Sequence, residues 1–245
     1  MDKITRRFIR TFENIVTEVN RLAGEPLARP FQLKNAARRS SVVRKYQRRL
    51  HYFGEVRNLL QHPKNDSDGP AVHVSEAFIE EAKTLLEHLQ SLPRACSIGV
   101  PRECVKVARC TDRLGDLAEE MKRERFTHVP IVDERNVIIG VFNEAALFDY
   151  LWSEAETIIG RDMQISEIFH HCRLDADHTE TFKFVSPQTP FGDLADLFLT
   201  LDSCTKRVGV IFVTASGKMD ESFQRLITPW DVLAEFGAGP TGRGE

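Results

Sequence analysis

Residues 57 to 63 read RNLLQHP and place a guanidinium, a carboxamide and an imidazole together just before a proline. Arg57, Asn58 and His62 are side-chain types suited to metal-free cleavage of a phosphodiester. An imidazole takes the proton of a 2′-hydroxyl, and a guanidinium neutralises the charge that gathers on the phosphorane. The leaving oxygen also needs an acid, which a two-fold dimer supplies as a second His62. Asn58 and His62 are four residues apart and share a helix face, whereas Arg57 and His62 are five apart, about 140° around the axis. Pro63 disfavours the α region at His62, so the imidazole can leave the helical path and swing toward Arg57. Leu59 and Leu60 are expected to anchor this turn in a core. The same residues also suit an ordinary helix end, with Arg57 solvated and His62 beside the last carbonyls.

A second constellation is Thr228-Pro229-Trp230-Asp231. A helix that starts at Pro229 turns open backbone N–H groups toward an anion, and the Asp231 carboxylate can accept from both hydroxyls of a ribose. Without any ligand, the same four residues make a capping box. A third stretch, HHCRLDADH at 170 to 178, gathers His170, His171, Cys172, Asp175, Asp177 and His178. Such mixed ligands can hold zinc, but their spacing matches no established metal site, and a polar surface loop accounts for them. No metal is assigned.

The elements that position these groups fall into two kinds. Up to about residue 92 the apolar residues keep helical spacing: Ile4, Phe8, Phe12, Ile15, Val19 and Leu22 form one stripe, ended by Gly24 and Pro26. Val43, Tyr46, Leu50, Phe53, Val56 and Leu60 form a second, running to about Gln61, with a possible break at Ser40 and Ser41. Ser75 is placed to cap a third helix, with Phe78, Ala82, Leu85, Leu89 and Leu92 as its stripe and Pro93 as its stop. Val74 and Ile79 are placed to staple across its first turn. The expected form is a small antiparallel bundle.

Beyond it the chain repeats itself. VKVARCTDRLGDLAEEM (105 to 121) aligns with FKFVSPQTPFGDLADLF (182 to 198) at an offset of 192 − 115 = 77 residues, and GDLA recurs intact at Gly115 and Gly192. Each copy reads strand, helix, strand, strand, helix, which predicts mixed sheets covered by helices and a pseudo-two-fold pair.

Charge divides the chain earlier, near Lys64. Residues 1 to 64 hold 15 Lys+Arg and 5 Asp+Glu, net +10, leaving 33 − 15 = 18 basic and 36 − 5 = 31 acidic residues, net −13, in the remainder. A basic half is suited to a polyanion such as RNA, or is simply a solvated face. Apolar content of 42% and 28% charged residues fit a globular protein. No apolar run reaches the roughly 18 residues of a membrane span. MDKITRRFIR lacks the apolar core of a secretion signal. Cys96, Cys104, Cys110, Cys172 and Cys204 are odd in number and include no CxxC pair, so reduced thiols and a cytoplasmic location are expected.

Two resemblances follow. Arg57-Asn58-x-x-x-His62 at the end of a helix in a small bundle, followed by a loop and one more helix, resembles the HEPN domain over roughly residues 3 to 92. Many of its members are metal-independent RNases. The resemblance implies a composite site at a homodimer interface, with Arg57 and His62 catalytic and Asn58 a polar helper. Lys64 stands where HEPN toxins silenced by adenylylation usually carry tyrosine, which argues against that control. HVPIVDERNVIIGVFNEAALFDYL, with its looser copy RVGVIFVT then FQRLITPWDVL, resembles the CBS domain, named after cystathionine β-synthase, over roughly residues 96 to 237. In that family a Thr or Ser followed three residues later by Asp holds ribose and phosphate, which points to Thr228 and Asp231. The first repeat departs from the pattern, with Asn143 and Ala146 at those places and Asp149 one turn late, so one working site per chain is expected.

The fold class expected is α plus α/β, an antiparallel helical bundle followed by a tandem βαββα CBS pair. The divisions are 1–94 bundle, 95–153 first repeat, 154–237 second repeat and 238–245 flexible tail. The function expected is a dimeric metal-independent endoribonuclease regulated by an adenine nucleotide (ATP, ADP, AMP or a related adenosyl ligand), with no cofactor required. The rival is a non-enzymatic nucleotide-binding regulator whose basic bundle docks RNA or a protein partner.

Overall fold

The computed structural model describes residues 2–24, 32–61, 72–153, 159–176, 179–201 and 206–237. The chain divides into two compact units, Met1–Pro93 with Glu235–Glu245, and Arg94–Ala234.

The first unit is helical in its described residues: α1 (Lys3–Leu22), α2 (Leu33–Arg39), α3 (Ser41–Lys45), α4 (Gln47–Gln61) and α5 (Glu76–Gln90). Asp2 caps α1 by accepting the Thr5 amide at 2.6 Å, and Phe8, Phe12, Ile15 and Val19 are buried as the stripe requires. The middle segment takes the break allowed for at Ser40 and Ser41 and adds a second that the spacing does not predict. It breaks at Ser40, whose extended backbone (φ −134°, ψ 121°) lets its hydroxyl accept from Val43 N–H, and again at Tyr46, which separates α3 from α4. Arg44 turns back to donate to the carbonyls of Ala37 and Arg38 at 3.0 and 3.4 Å. A cation thus closes the last turn of α2, a tertiary contact that apolar spacing does not reveal.

In α5 the buried stripe runs through Ile79, Ala82, Leu85 and Leu89. Ile79 replaces the expected Phe78, which lies half-buried with its ring centroid 5.1 Å from that of Phe8 and 5.2 Å from that of Phe53. This aromatic cluster ties α1, α4 and α5 together. Each fully buried large side chain contributes about 1.5–3 kcal/mol, so Phe8, Phe53 and Ile79 outweigh any surface pair in this unit.

The second unit contains β1 (Val100–Pro101), α6 (Leu114–Glu124), β2 (His128–Val132), β3 (Ile138–Asn143), α7 (Glu144–Ser153), α8 (Ile165–Ile168), β4 (Glu180–Val185), α9 (Phe191–Leu199), β5 (Arg207–Thr214), β6 (Phe223–Ile227) and α10 (Pro229–Gly237). One sheet runs β1-β6-β5-β4, with β4 parallel to β5 and the rest antiparallel; β2 and β3 pair antiparallel in another. VKVAR, expected as a strand, makes only an isolated parallel bridge between Ala108 and Ile131.

The two repeats exchange edge segments. Val100 and Pro101, ahead of the first repeat, pair with Leu226 and Arg225 in the second. Arg173, ahead of β4, bridges Gly140 of the first, where Val141 N–H also donates to the Cys172 carbonyl at 2.7 Å. Each crossing is close enough to require glycine. A Cβ on Gly99 (φ +73°) would lie 2.3 Å from the Leu226 carbonyl oxygen, and one on Gly140 would lie 2.5 Å from that of Cys172. One core joins the sheets through Val132, Ile138, Val141, Val210, Phe212 and Phe223. Another, around Leu114, Leu117, Ile131, Phe142 and Ile165, lies under α6 and α7.

Candidate functional site

β6 delivers the chain to Thr228, and Pro229 opens α10, where its missing N–H costs nothing and its fixed φ suits the first turn. Asp231 Oδ2 accepts both the backbone N–H and the hydroxyl of Thr228, each at 2.7 Å. Half of the capping box that the sequence allows is therefore formed: the carboxylate turns back on the threonine, while the Asp231 N–H donates to the Thr228 carbonyl at 3.2 Å. A ribose or phosphate at this helix start would exchange those contacts for its own hydroxyls and oxygens.

The register of the sheet sets what surrounds this helix start. Ile211 is opposite Ile227, so Thr228 falls beside Val210 near the start of β5. At the same end β4 begins with Glu180 alongside Arg207 and Thr181 alongside Val208. The Thr181 hydroxyl oxygen is buried there with no hydrogen-bond partner among the described residues, a state a bound polar group would relieve. Arg225 holds the first crossing segment on β6, donating to the carbonyls of Ile98 and Gly99 at 2.8 Å each. Glu180, Thr181, Lys206 and Arg207 were not singled out from sequence. Their signal was present as polar residues immediately preceding the strands FKFV and VGVIFV.

The first repeat builds the same junction differently. Asn143 is buried, and its Oδ1 accepts the Ala146 N–H at 2.8 Å, which caps α7 completely at that position. Ala146 offers no carboxylate. Asp149, one turn later, lines a shallow hollow of about 230 Å³ with Phe148, Trp152 and Ser153. A larger open cleft of about 670 Å³ lies between α6, Leu147 and residues 159–161, and Asn143 does not line it.

At the end of α4, Arg57 Nη1 donates to Asn58 Oδ1 at 3.1 Å, on the exposed surface. Leu59 is half exposed rather than an anchor; Phe53 and Val56 hold this part of α4 in the core. His62 and Pro63 lie outside the described residues, and with them the proposed approach of imidazole to guanidinium. The tail 238–245 lies outside as well.

In the 170 to 178 stretch, His170 and His171 pack edge to face with ring centroids 5.0 Å apart. Both carboxylate oxygens of Asp175 accept from Arg173, at 2.8 and 2.9 Å. Burial pushes the Cys172 thiol up to about 12, leaving it a core residue rather than a thiolate ligand. Asp177 and His178 are outside the described residues. Among the described residues no group of three His, Cys, Asp or Glu side chains is arranged to hold a metal ion, and no helix is long and apolar enough to cross a membrane.

Comparison with known proteins gives a family for part of the chain: residues 98–153 match the CBS domain. No curated protein matches the chain. Among solved structures, CBSX2 from Arabidopsis thaliana is 16% identical over 59% of this chain and 94% of its own, at a TM-score of 0.41. CBSX2 in complex with AMP is 16% identical over 58% and 94%, also at 0.41. The CBS domains of a transcriptional regulator from Streptococcus pneumoniae are 13% identical over 58% and 97%, at 0.41.

Proposed function

We propose that residues 95–153 and 154–237 form a pair of CBS repeats that binds one adenosine-type nucleotide per chain at the junction of β6 and α10. The observation that carries this reading is the Thr228–Asp231 pair at a proline-started helix. Its carboxylate accepts two hydrogen bonds that two ribose hydroxyls can replace, and the helix start offers backbone N–H groups and a favourable dipole to a phosphate. The buried, unpartnered Thr181 hydroxyl at the same sheet end and the basic start of β5 support a polar ligand there. The CBS match at residues 98–153 supports the context.

Thermal melting of the full chain tests this. A ligand that binds only the folded state at about 100 times its Kd adds about 2.7 kcal/mol. AMP or adenosine is expected to raise the melting temperature of the native chain and to leave that of Asp231→Ala in place. Equal rises in both would remove the site.

A second reading concerns residues 1–94. Arg57, half-buried, and the exposed Asn58 are hydrogen-bonded to each other on the last turn of α4. That pairing favours the HEPN-type proposal, in which Arg57 neutralises phosphorane charge, Asn58 orients Arg57 and His62 moves the proton, in a cytoplasmic homodimer acting on RNA. In this reading the nucleotide bound by the CBS pair regulates cleavage, and no metal takes part. The test is RNA cleavage in chelator by the native chain, Arg57→Ala and His62→Ala. Cleavage that persists equally in all three leaves the basic bundle as a docking surface for RNA or protein.

A further inference from the structure

Glu180 is an acidic residue at the sheet end that carries the proposed nucleotide site. It opens β4 alongside Arg207 of β5, and Thr228 follows β6 on the other side of β5 at the same end. Its carboxylate lies beside Gly209, the residue before Val210, and Thr228 falls next to Val210 on the other side of β5.

Its side chain lies across the face of β5. A Cβ on Gly209 would sit 2.2 Å from Glu180 Oε2, 2.8 Å from Cδ and 3.3 Å from Cβ. Glycine within a strand weakens it and marks a place where something approaches closely; here the approaching group is this carboxylate. The first repeat then fixes it from the opposite direction. His128 Nε2 and Glu180 Oε2 are 2.8 Å apart, and the Thr127 hydroxyl is 2.9 Å from His128 Nδ1. These contacts tie the carboxylate to the first repeat and fix its place. The His128 side chain is 18% exposed and that of Glu180 34%.

A polyphosphate bound at this sheet end brings the charge of each further phosphate toward a fixed carboxylate.

We infer that Glu180, held over Gly209 by His128, selects against charge in the proposed site and restricts its ligand to a nucleoside or nucleoside monophosphate rather than a di- or triphosphate. The inference rests on Thr228 and Asp231 being the nucleotide site, and the test separates the two.

Adenosine, AMP, ADP and ATP are titrated calorimetrically, in chelator, into the native full chain, Glu180→Gln, Gly209→Ala and Asp231→Ala, with each variant's fold checked by circular dichroism. The native chain is expected to bind adenosine and AMP at least tenfold more tightly than ATP. Glu180→Gln, which keeps shape but not charge, is expected to shift the ATP-to-adenosine affinity ratio toward ATP by about tenfold. Gly209→Ala, which displaces the carboxylate from beneath, shifts it in the same direction. An unmoved ratio in folded Glu180→Gln and Gly209→Ala, with binding lost in Asp231→Ala, overturns the role of Glu180 and leaves the site standing. Binding by Asp231→Ala equal to native, or no binding of any of the four by the native chain, overturns the site and this inference with it.

Discussion

Asn143 and Thr228 occupy the same place in two copies of one fold, the residue between the last strand and the last helix of each repeat, yet they do opposite things. Asn143 is buried and spends its side chain on the Ala146 amide. Thr228 instead gives its hydroxyl and its N–H to a carboxylate, Asp231, that stands where the first repeat has alanine. The first junction is complete as it stands. The second holds a polar pair whose bonds a ligand can exchange. Under the proposed function, the two copies keep the same strand-to-helix junction while binding rests on two side chains that only the second copy has.

The largest expected effects test the shared scaffold. Gly99→Ala forces a Cβ onto the Leu226 carbonyl and strains a residue at φ +73°, with an expected cost of about 3–4 kcal/mol. Gly140→Ala meets the Cys172 carbonyl without the dihedral strain, and about 2–3 kcal/mol is expected. Urea unfolding of the full chain measures both. If Gly140→Ala proves the more damaging, the two crossings are not held alike.

Next come the two caps. Asn143→Ala and Asp231→Ala should each cost about 1 kcal/mol as lost caps. Only Asp231→Ala should weaken nucleotide binding, by tenfold or more. Equal loss of affinity in the two variants would place a ligand at the first junction as well.

The smallest effect concerns the helical unit. Arg57→Ala removes an exposed contact to Asn58 and should change stability by less than about 0.5 kcal/mol, while abolishing any RNA cleavage. A variant that destabilises the bundle by several kcal/mol would instead give Arg57 a structural role.

The sequence made the repeat legible because GDLA and the alternating apolar runs report local structure directly: RVGVIFVT is β5 residue for residue. The exchange of Val100–Pro101 and Arg173 between repeats was not legible, since pairings of one or two residues leave no periodic trace in the sequence. The break at Tyr46 was hidden because Arg44 caps α2 through space. Thr228 and Asp231 were visible as a motif, whereas Glu180 and His128, 52 residues apart, meet only through the packing of two sheets. Gly209 was the one local sign of that meeting, a glycine inside a strand that sits at a bulge where β5 has one residue more than β4.

The contrast between the junctions is tested most directly by calorimetric titration of AMP into the full native chain, Asn143→Ala and Asp231→Ala. The expected result is one AMP per chain for the native protein and Asn143→Ala, and none for Asp231→Ala. Two AMP per chain, or undiminished binding by Asp231→Ala, would contradict it.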